Sequence, residues 1–114
     1  MKLNHKDFDG SRLVTVCENR IDALSAIQFK DEMRKMIDDG PNRVVIDLSQ
    51  VEFLDSSGLG AVVAALKSKK SDQSLELASL QPAVEKVFRL TRMDTVFSIH
   101  DNASSAIEGA ADAS

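Results

Sequence analysis

The stretch Val44 to Leu66, VVIDLSQVEFLDSSGLGAVVAAL, decides how this 114-residue chain is read. Val44-Val45-Ile46 is apolar at consecutive positions, the pattern of a strand covered on both faces. Asp47-Leu48 and a short polar segment lead on to Phe53-Leu54. Asp55-Ser56-Ser57-Gly58 then reads as a tight turn carrying two hydroxyls. The small and apolar residues after it, ending in lysines, read as a packed helix from about Gly58 to Lys69. A serine at such a turn is open to solvent, and the first N–H groups of the helix beside it favour negative charge. A phosphate placed there would be held, and it would change the face that a partner meets.

Outward from this stretch, strands alternate with helices. Leu3 to Phe8 and Arg12 to Cys17 are expected to pair as a hairpin across Asp9-Gly10, a strong turn signal. Asp22 is expected to cap a first helix, whose apolar face is Ala26, Phe29, Met33, Met36 and Ile37; Gly40-Pro41 stops it. In the second helix Leu59, Val62, Val63 and Leu66 form the expected apolar side, and Gly58, Gly60, Ala61, Ala64 and Ala65 allow close packing. Leu75 to Ala78 reads as a strand. Pro82 opens a third helix with Val84, Val87, Phe88 and Leu90 facing inward. Val96 to Ile99 is a short last strand, Ala103 to Gly109 a weak last helix, and residues 109–114 a frayed tail. The expected architecture is an α/β sandwich, its sheet of four to five strands mixed by the opening hairpin, with about four helices in a single domain over residues 1–114.

Composition narrows the function. A net charge of −4 and a pI near 5.1 argue against non-specific nucleic-acid binding, which needs a basic surface. The clustered Lys67, Lys69 and Lys70 are better read as cations offsetting a helix carboxyl end. Cys17 is the single cysteine, so no intrachain disulfide or cysteine-based zinc site forms; a buried, inert thiol is expected. No apolar run approaches the ~20 residues that span a bilayer, and the amino terminus lacks the apolar core of a secretory signal, so a cytoplasmic protein without membrane insertion is expected.

Asp55-Ser56-Ser57-Gly58-Leu59-Gly60, after an apolar strand with Asp47-Leu48, resembles the signature of the STAS domain, and most of all its single-domain bacterial anti-sigma factor antagonists. The resemblance covers nearly the whole chain. It implies the same sandwich, and it implies that the first serine of the pair, Ser56, is phosphorylated by a partner kinase. It also puts the Asp22 loop on the partner-binding face with Asp55, Ser57, Gly58, Leu59 and Gly60. Two glycines usual in the family are replaced here, by Asn19 before Ile21-Asp22 and by Arg92 after Leu90-Thr91. Asn adopts a left-handed backbone at modest cost, and Arg less readily.

Plainer roles stand beside these. Ser57 is expected to be the helix cap, and Asp22 a cap as well as a partner contact. A serine hydroxyl needs a positioned base to act as a nucleophile, and no histidine lies nearby in sequence. His5 and His100 lack metal-ligand spacing and read as surface or terminal residues; Asp47 is the polar end of a strand. Gly58-Leu59-Gly60 is neither a phosphate loop nor a nucleophile elbow, and close helix packing explains it better. The chain is therefore expected to be a kinase substrate and no enzyme, with no metal and no cofactor of its own. The resemblance implies an anti-sigma factor with serine-kinase activity as partner and a metal-dependent, PP2C-type serine phosphatase that resets the switch. The competing reading is an accessory STAS subunit of an ABC-type lipid transporter that braces its ATPase, in which the serine never takes phosphate.

Overall fold

The computed structural model describes the backbone of residues 1–112 and the side chains of residues 1–107. Strands β1 (Leu3–Phe8) and β2 (Ser11–Val16) form the opening hairpin, with Phe8 opposite Ser11 and Gly10 turning at φ 77°. Two-residue β3 (Arg20–Ile21) precedes helix α1 (Ala26–Asp38) and the central strand β4 (Arg43–Asp47). Two-residue β5 (Phe53–Leu54) leads into α2 (Ser56–Ser68); β6 (Ser74–Ala78), α3 (Pro82–Leu90), a 3-10 turn at Met93–Thr95, β7 (Ser98–His100) and α4 (Ala103–Asp112) follow. Residues 113–114, where the expected frayed tail ends, lie outside the described residues.

The main sheet has five strands in the order β1-β2-β4-β6-β7, antiparallel only at β1-β2. The expected mixed α/β sandwich is the fold observed. Consecutive apolar residues in β4 are buried for the reason expected. Val44 and Ile46 join the main core with Phe29, Met33, Val62 and Phe88, while Val45 meets Ala78 and Ala106 on the opposite face, under α4. A second ribbon, β3 with β5, pairs Arg20 with Phe53 and Ile21 with Leu54; it is too short for periodicity to reveal.

Buried charges tie the layers together. Arg12 donates to both carboxylate oxygens of Asp7 (2.7 and 3.0 Å), to Asp39 (2.6 Å) and to the Met36 carbonyl (2.9 Å), fixing the end of α1 to the hairpin. Arg43 grips Glu76 through two N–H donors at 2.7 Å and reaches the Ala106 carbonyl of α4 at 2.7 Å. His100 Nε2 lies 2.6 Å from the same carboxylate, so His100 is a half-buried member of this network rather than a plain surface residue. Burial alone would raise the Glu76 carboxyl. Hydrogen bonds from Arg43, His100 and Ser74 outweigh it and hold the group down at about 2.

Three expectations about packing are corrected. Leu90 is 71 % exposed, because α3 turns its Val84 and Phe88 stripe inward and leaves Leu90 beyond it. The buried side of α2 is Gly58, Ala61, Val62 and Ala65, with Leu59, Val63 and Leu66 only partly covered; small residues let the helix sit close on that face. Cys17 is only half-buried, just past the end of β2, where its sulfur takes a hydrogen bond from Asn4 at 3.4 Å.

Candidate functional site

The β3-β5 ribbon builds the site. Pairing Ile21 with Leu54 sets Asp22 and Asp55, the next residue on each strand, side by side at the mouth of α2. Asp55 has extended backbone, and its Oδ1 accepts from the Gly58 N–H at 2.8 Å, so the cap of α2 is Asp55. Its Oδ2 accepts from the Ala23 N–H at 3.3 Å and fastens the neighbouring loop. Ser57 is therefore not the cap. Ser56 and Ser57 fill the first two helical positions, both exposed, at the positive end of the helix dipole.

Asp22 does not cap α1 either. It closes a turn ahead of the helix: its carbonyl accepts from Ser25 (3.1 Å) and Ala26 (2.8 Å), and its carboxylate from the Leu24 N–H (3.0 Å). The cap position is Ser25, without a side-chain capping bond. The turn aims Leu24 into solvent, 92 % exposed. Arg20 lies 3.7 Å from the Asp22 carboxylate and 5.5 Å above the Phe53 ring.

The two glycines of this segment differ. Gly58 is buried, and a Cβ there would fall on the Ile21 carbonyl oxygen, so close packing is its reason, as expected. Gly60 is exposed and a Cβ there would meet nothing within 4 Å, so close packing within the chain is not its reason. Leu59 is half-buried and lines a shallow groove of about 450 Å³ with Ser56, Gly60, Val63, Ala64, Lys67, Thr91 and Met93. On the other flank of α2, Ser57, Gly60 and Ala64 share a groove of about 190 Å³ with Ile27 and Lys30 of α1. The two serines thus serve opposite flanks of one helix. Ile27, 68 % exposed, stands in the second groove.

The structure brings Asp22, Asp55, Ser56, Ser57 and Gly58 together at the helix mouth, with Leu59 and Gly60 one turn further along. Ile27, Thr91 and Met93, which the sequence did not mark as site residues, line the grooves on either flank of α2. A signal for Ile27 was present, since it is apolar yet off the buried stripe of α1. Arg92 has a left-handed backbone, φ 60°, beside the groove residues Thr91 and Met93; Asn19 is not left-handed. Among the described residues no group of His, Cys, Asp and Glu is placed to hold a metal ion, and no helix is long and apolar enough to cross a membrane.

Residues 5–106 match the STAS domain. BtrV of Bordetella bronchiseptica, which bears the name of an anti-sigma factor antagonist, is 29 % identical over 107 residues, covering 93 % of this chain and 91 % of that protein. The crystal structure of an anti-sigma factor antagonist from Mycobacterium paratuberculosis superposes with a TM-score of 0.85 at 28 % identity, covering 95 % of this chain and 92 % of the other. The Bacillus antagonist SpoIIAA shares the fold at 17 % identity unphosphorylated (TM-score 0.77, 97 % of each chain) and at 15 % phosphorylated (TM-score 0.70, 96 % and 99 %). The chain belongs to the STAS domain family and is similar there to the single-domain anti-sigma factor antagonists.

Proposed function

We propose that this protein is a partner-switching anti-sigma factor antagonist controlled by phosphorylation of Ser56. Unmodified, it binds an anti-sigma factor with serine-kinase activity and so frees a sigma factor. The kinase phosphorylates Ser56 and the pair separates; a PP2C-type phosphatase restores the hydroxyl. All three reactions belong to the cytoplasm. The kinase supplies base, ATP and metal, and this chain is the substrate.

One observation carries the reading. Asp55 does the capping, which leaves the Ser56 hydroxyl exposed at the first position of α2, on the rim of a surface lined by Leu59, Val63 and Met93. A phosphate there adds roughly −1.5 to −2 charges. The helix dipole favours it, and the Asp22 and Asp55 carboxylates oppose it. Bringing a partner against that dianion requires desolvating it, so the switch needs no refolding of this chain. A penalty of ~2.7 kcal/mol weakens a complex about a hundredfold.

The test is a pull-down from the native cell with unmodified protein, followed by ATP addition and mass mapping of the phosphate. The expected result is a serine kinase on the bait and phosphate on Ser56. Ser56→Ala retains the kinase without taking phosphate, and Ser56→Asp binds it poorly. Recovery of a transporter ATPase with no phosphate uptake would support the accessory-subunit reading instead, and phosphate on Ser57 would move the switch to the α1 flank.

A further inference from the structure

Two strands of the main sheet have a single neighbour, β1 and β7. Along β1, Lys6 stands 5.5 Å over the Phe8 ring, and charged side chains on an edge strand oppose pairing with another chain. β7 carries no such guard. It is Ser98-Ile99-His100, and the His100 imidazole is held on Glu76 at 2.6 Å. The Ser79 N–H donates to the His100 carbonyl at 3.1 Å, so in this parallel pair Ser98 and His100 turn their N–H and C=O groups toward β6. Ile99, between them, turns its own N–H and C=O away from β6, to the side where the sheet has no further strand. A strand edge with free backbone groups is a template for pairing.

Ile99 also lines a cleft of about 360 Å³. Glu85 and Arg89 of α3 line it too, with Asp94 of the 3-10 turn, and Leu80 and Asp101 from just beyond β6 and β7. A strand edge and a helix thus border one cleft. An extended peptide suits such a place, because main-chain hydrogen bonds to the edge hold it and neighbouring side chains select it. Half-buried Leu80 and Ile99 offer apolar contact. The charges choose the sign of the ligand. The carboxylates are Glu85, Asp94 and Asp101, and the one guanidinium, Arg89, is already 3.7 Å from Glu85. Among the described residues no ion pair takes up Asp94 or Asp101. The cleft shares no residue with the helix mouth or with the grooves along α2.

We propose that an extended, basic segment of a protein partner adds beside Ile99 as a further strand of the main sheet. It sets a lysine or arginine side chain against Asp94 and Asp101 and an apolar one against Leu80. This is a second binding surface, whose occupancy does not depend on phosphate at Ser56.

The probes are synthetic peptides of about six residues, ~20 Å when extended, acetylated and amidated at their ends. Valine alternates with lysine in one and with glutamate in the other. Titrated into the ¹⁵N-labelled protein, the lysine peptide moves the Ile99 amide downfield as that N–H gains a hydrogen bond, and shifts Leu80, Asp94 and Asp101. The glutamate peptide binds at least ~10-fold more weakly, and the difference shrinks as salt rises. Asp94→Lys/Asp101→Lys reverses the preference. Ile99→Pro removes the outward N–H and leaves the ladder to β6, since proline is tolerated on the open side of an edge strand; it abolishes binding, read at Leu80 and Asp101, with its fold checked by thermal melting. A lysine peptide N-methylated at alternate amides makes the same test on the native protein and binds at least ~10-fold more weakly than its parent. Equal binding of the lysine and glutamate peptides, no binding of either, shifts mapped to another face, or undiminished binding of the N-methylated peptide would each overturn the proposal. None of these readouts involves Ser56, so this surface can fail while the switch stands, and the reverse.

Discussion

Replacing Gly58 and Gly60 by alanine, one at a time, puts the same methyl group on the same helix with opposite outcomes. Alanine is favoured over glycine in a helix interior by about 1 kcal/mol at either position. At Gly60 nothing lies within 4 Å of the new carbon. Gly60→Ala is therefore expected to stabilise the free protein by ~0.5–1 kcal/mol, a rise of about 2–5 °C in Tm for a chain of this size. At Gly58 the methyl group falls on the Ile21 carbonyl oxygen, 2.8 Å from the carbonyl carbon and 3.0 Å from Leu54 Cδ1. That oxygen is backbone in the β3-β5 ribbon and cannot rotate away. Overpacking of this kind costs ~3 kcal/mol, so after the propensity gain Gly58→Ala is expected to lose roughly 2 kcal/mol or more. The displaced ribbon takes the Asp22 loop with it. Thermal melts and urea titrations measure the two differences, and ¹⁵N spectra of Gly58→Ala should show changes through Arg20–Ser25. Equal stabilisation by both substitutions would refute the close seating of α2 on the ribbon.

Arg92→Gly relieves a left-handed backbone at a bulky residue, and should raise stability by up to about 1 kcal/mol by urea titration. Asp55→Ala removes the cap and the bond to Ala23, and should cost ~1 kcal/mol with faster amide exchange at both Ala23 and Gly58. The Glu76 carboxyl is held at about 2 in the fold against an ordinary 4.5. Its stabilising contribution is full above 4.5 and fades as pH falls toward 2. Glu76→Gln should therefore melt below the native protein at neutral pH, with the gap closing between pH 4.5 and pH 2.

Local patterns made the fold readable. Asp9-Gly10 marked the hairpin, the apolar run of β4 marked a strand buried on both faces, and Pro82 sits at the start of α3. What escaped was either very short or non-local. The β3-β5 ribbon has two residues per strand. Arg43, Glu76 and His100 converge from separations of 33, 57 and 24 residues, and no pattern links charges so far apart. On α2 the period was right and the phase was wrong, because Gly58, Ala61 and Ala65 carry little hydrophobic weight although they form the buried stripe with Val62. The turn into α2 at Asp55-Ser56-Ser57-Gly58 was legible, but the capping role went to Ser57. Asp and Ser are both good caps, and only the extended backbone of Asp55 decides between them. The place of Met93 in the groove beside α2 depends on how the turn after α3 folds back, which a single sequence does not encode locally.

The claim most exposed to test is that a dianion on Ser56 reverses an association. Isothermal titration of the isolated partner kinase against unmodified protein and against protein stoichiometrically phosphorylated on Ser56 measures it directly. The expected outcome is a Kd weakened about a hundredfold, ~2.7 kcal/mol, on phosphorylation. Equal affinity for the two forms would contradict it.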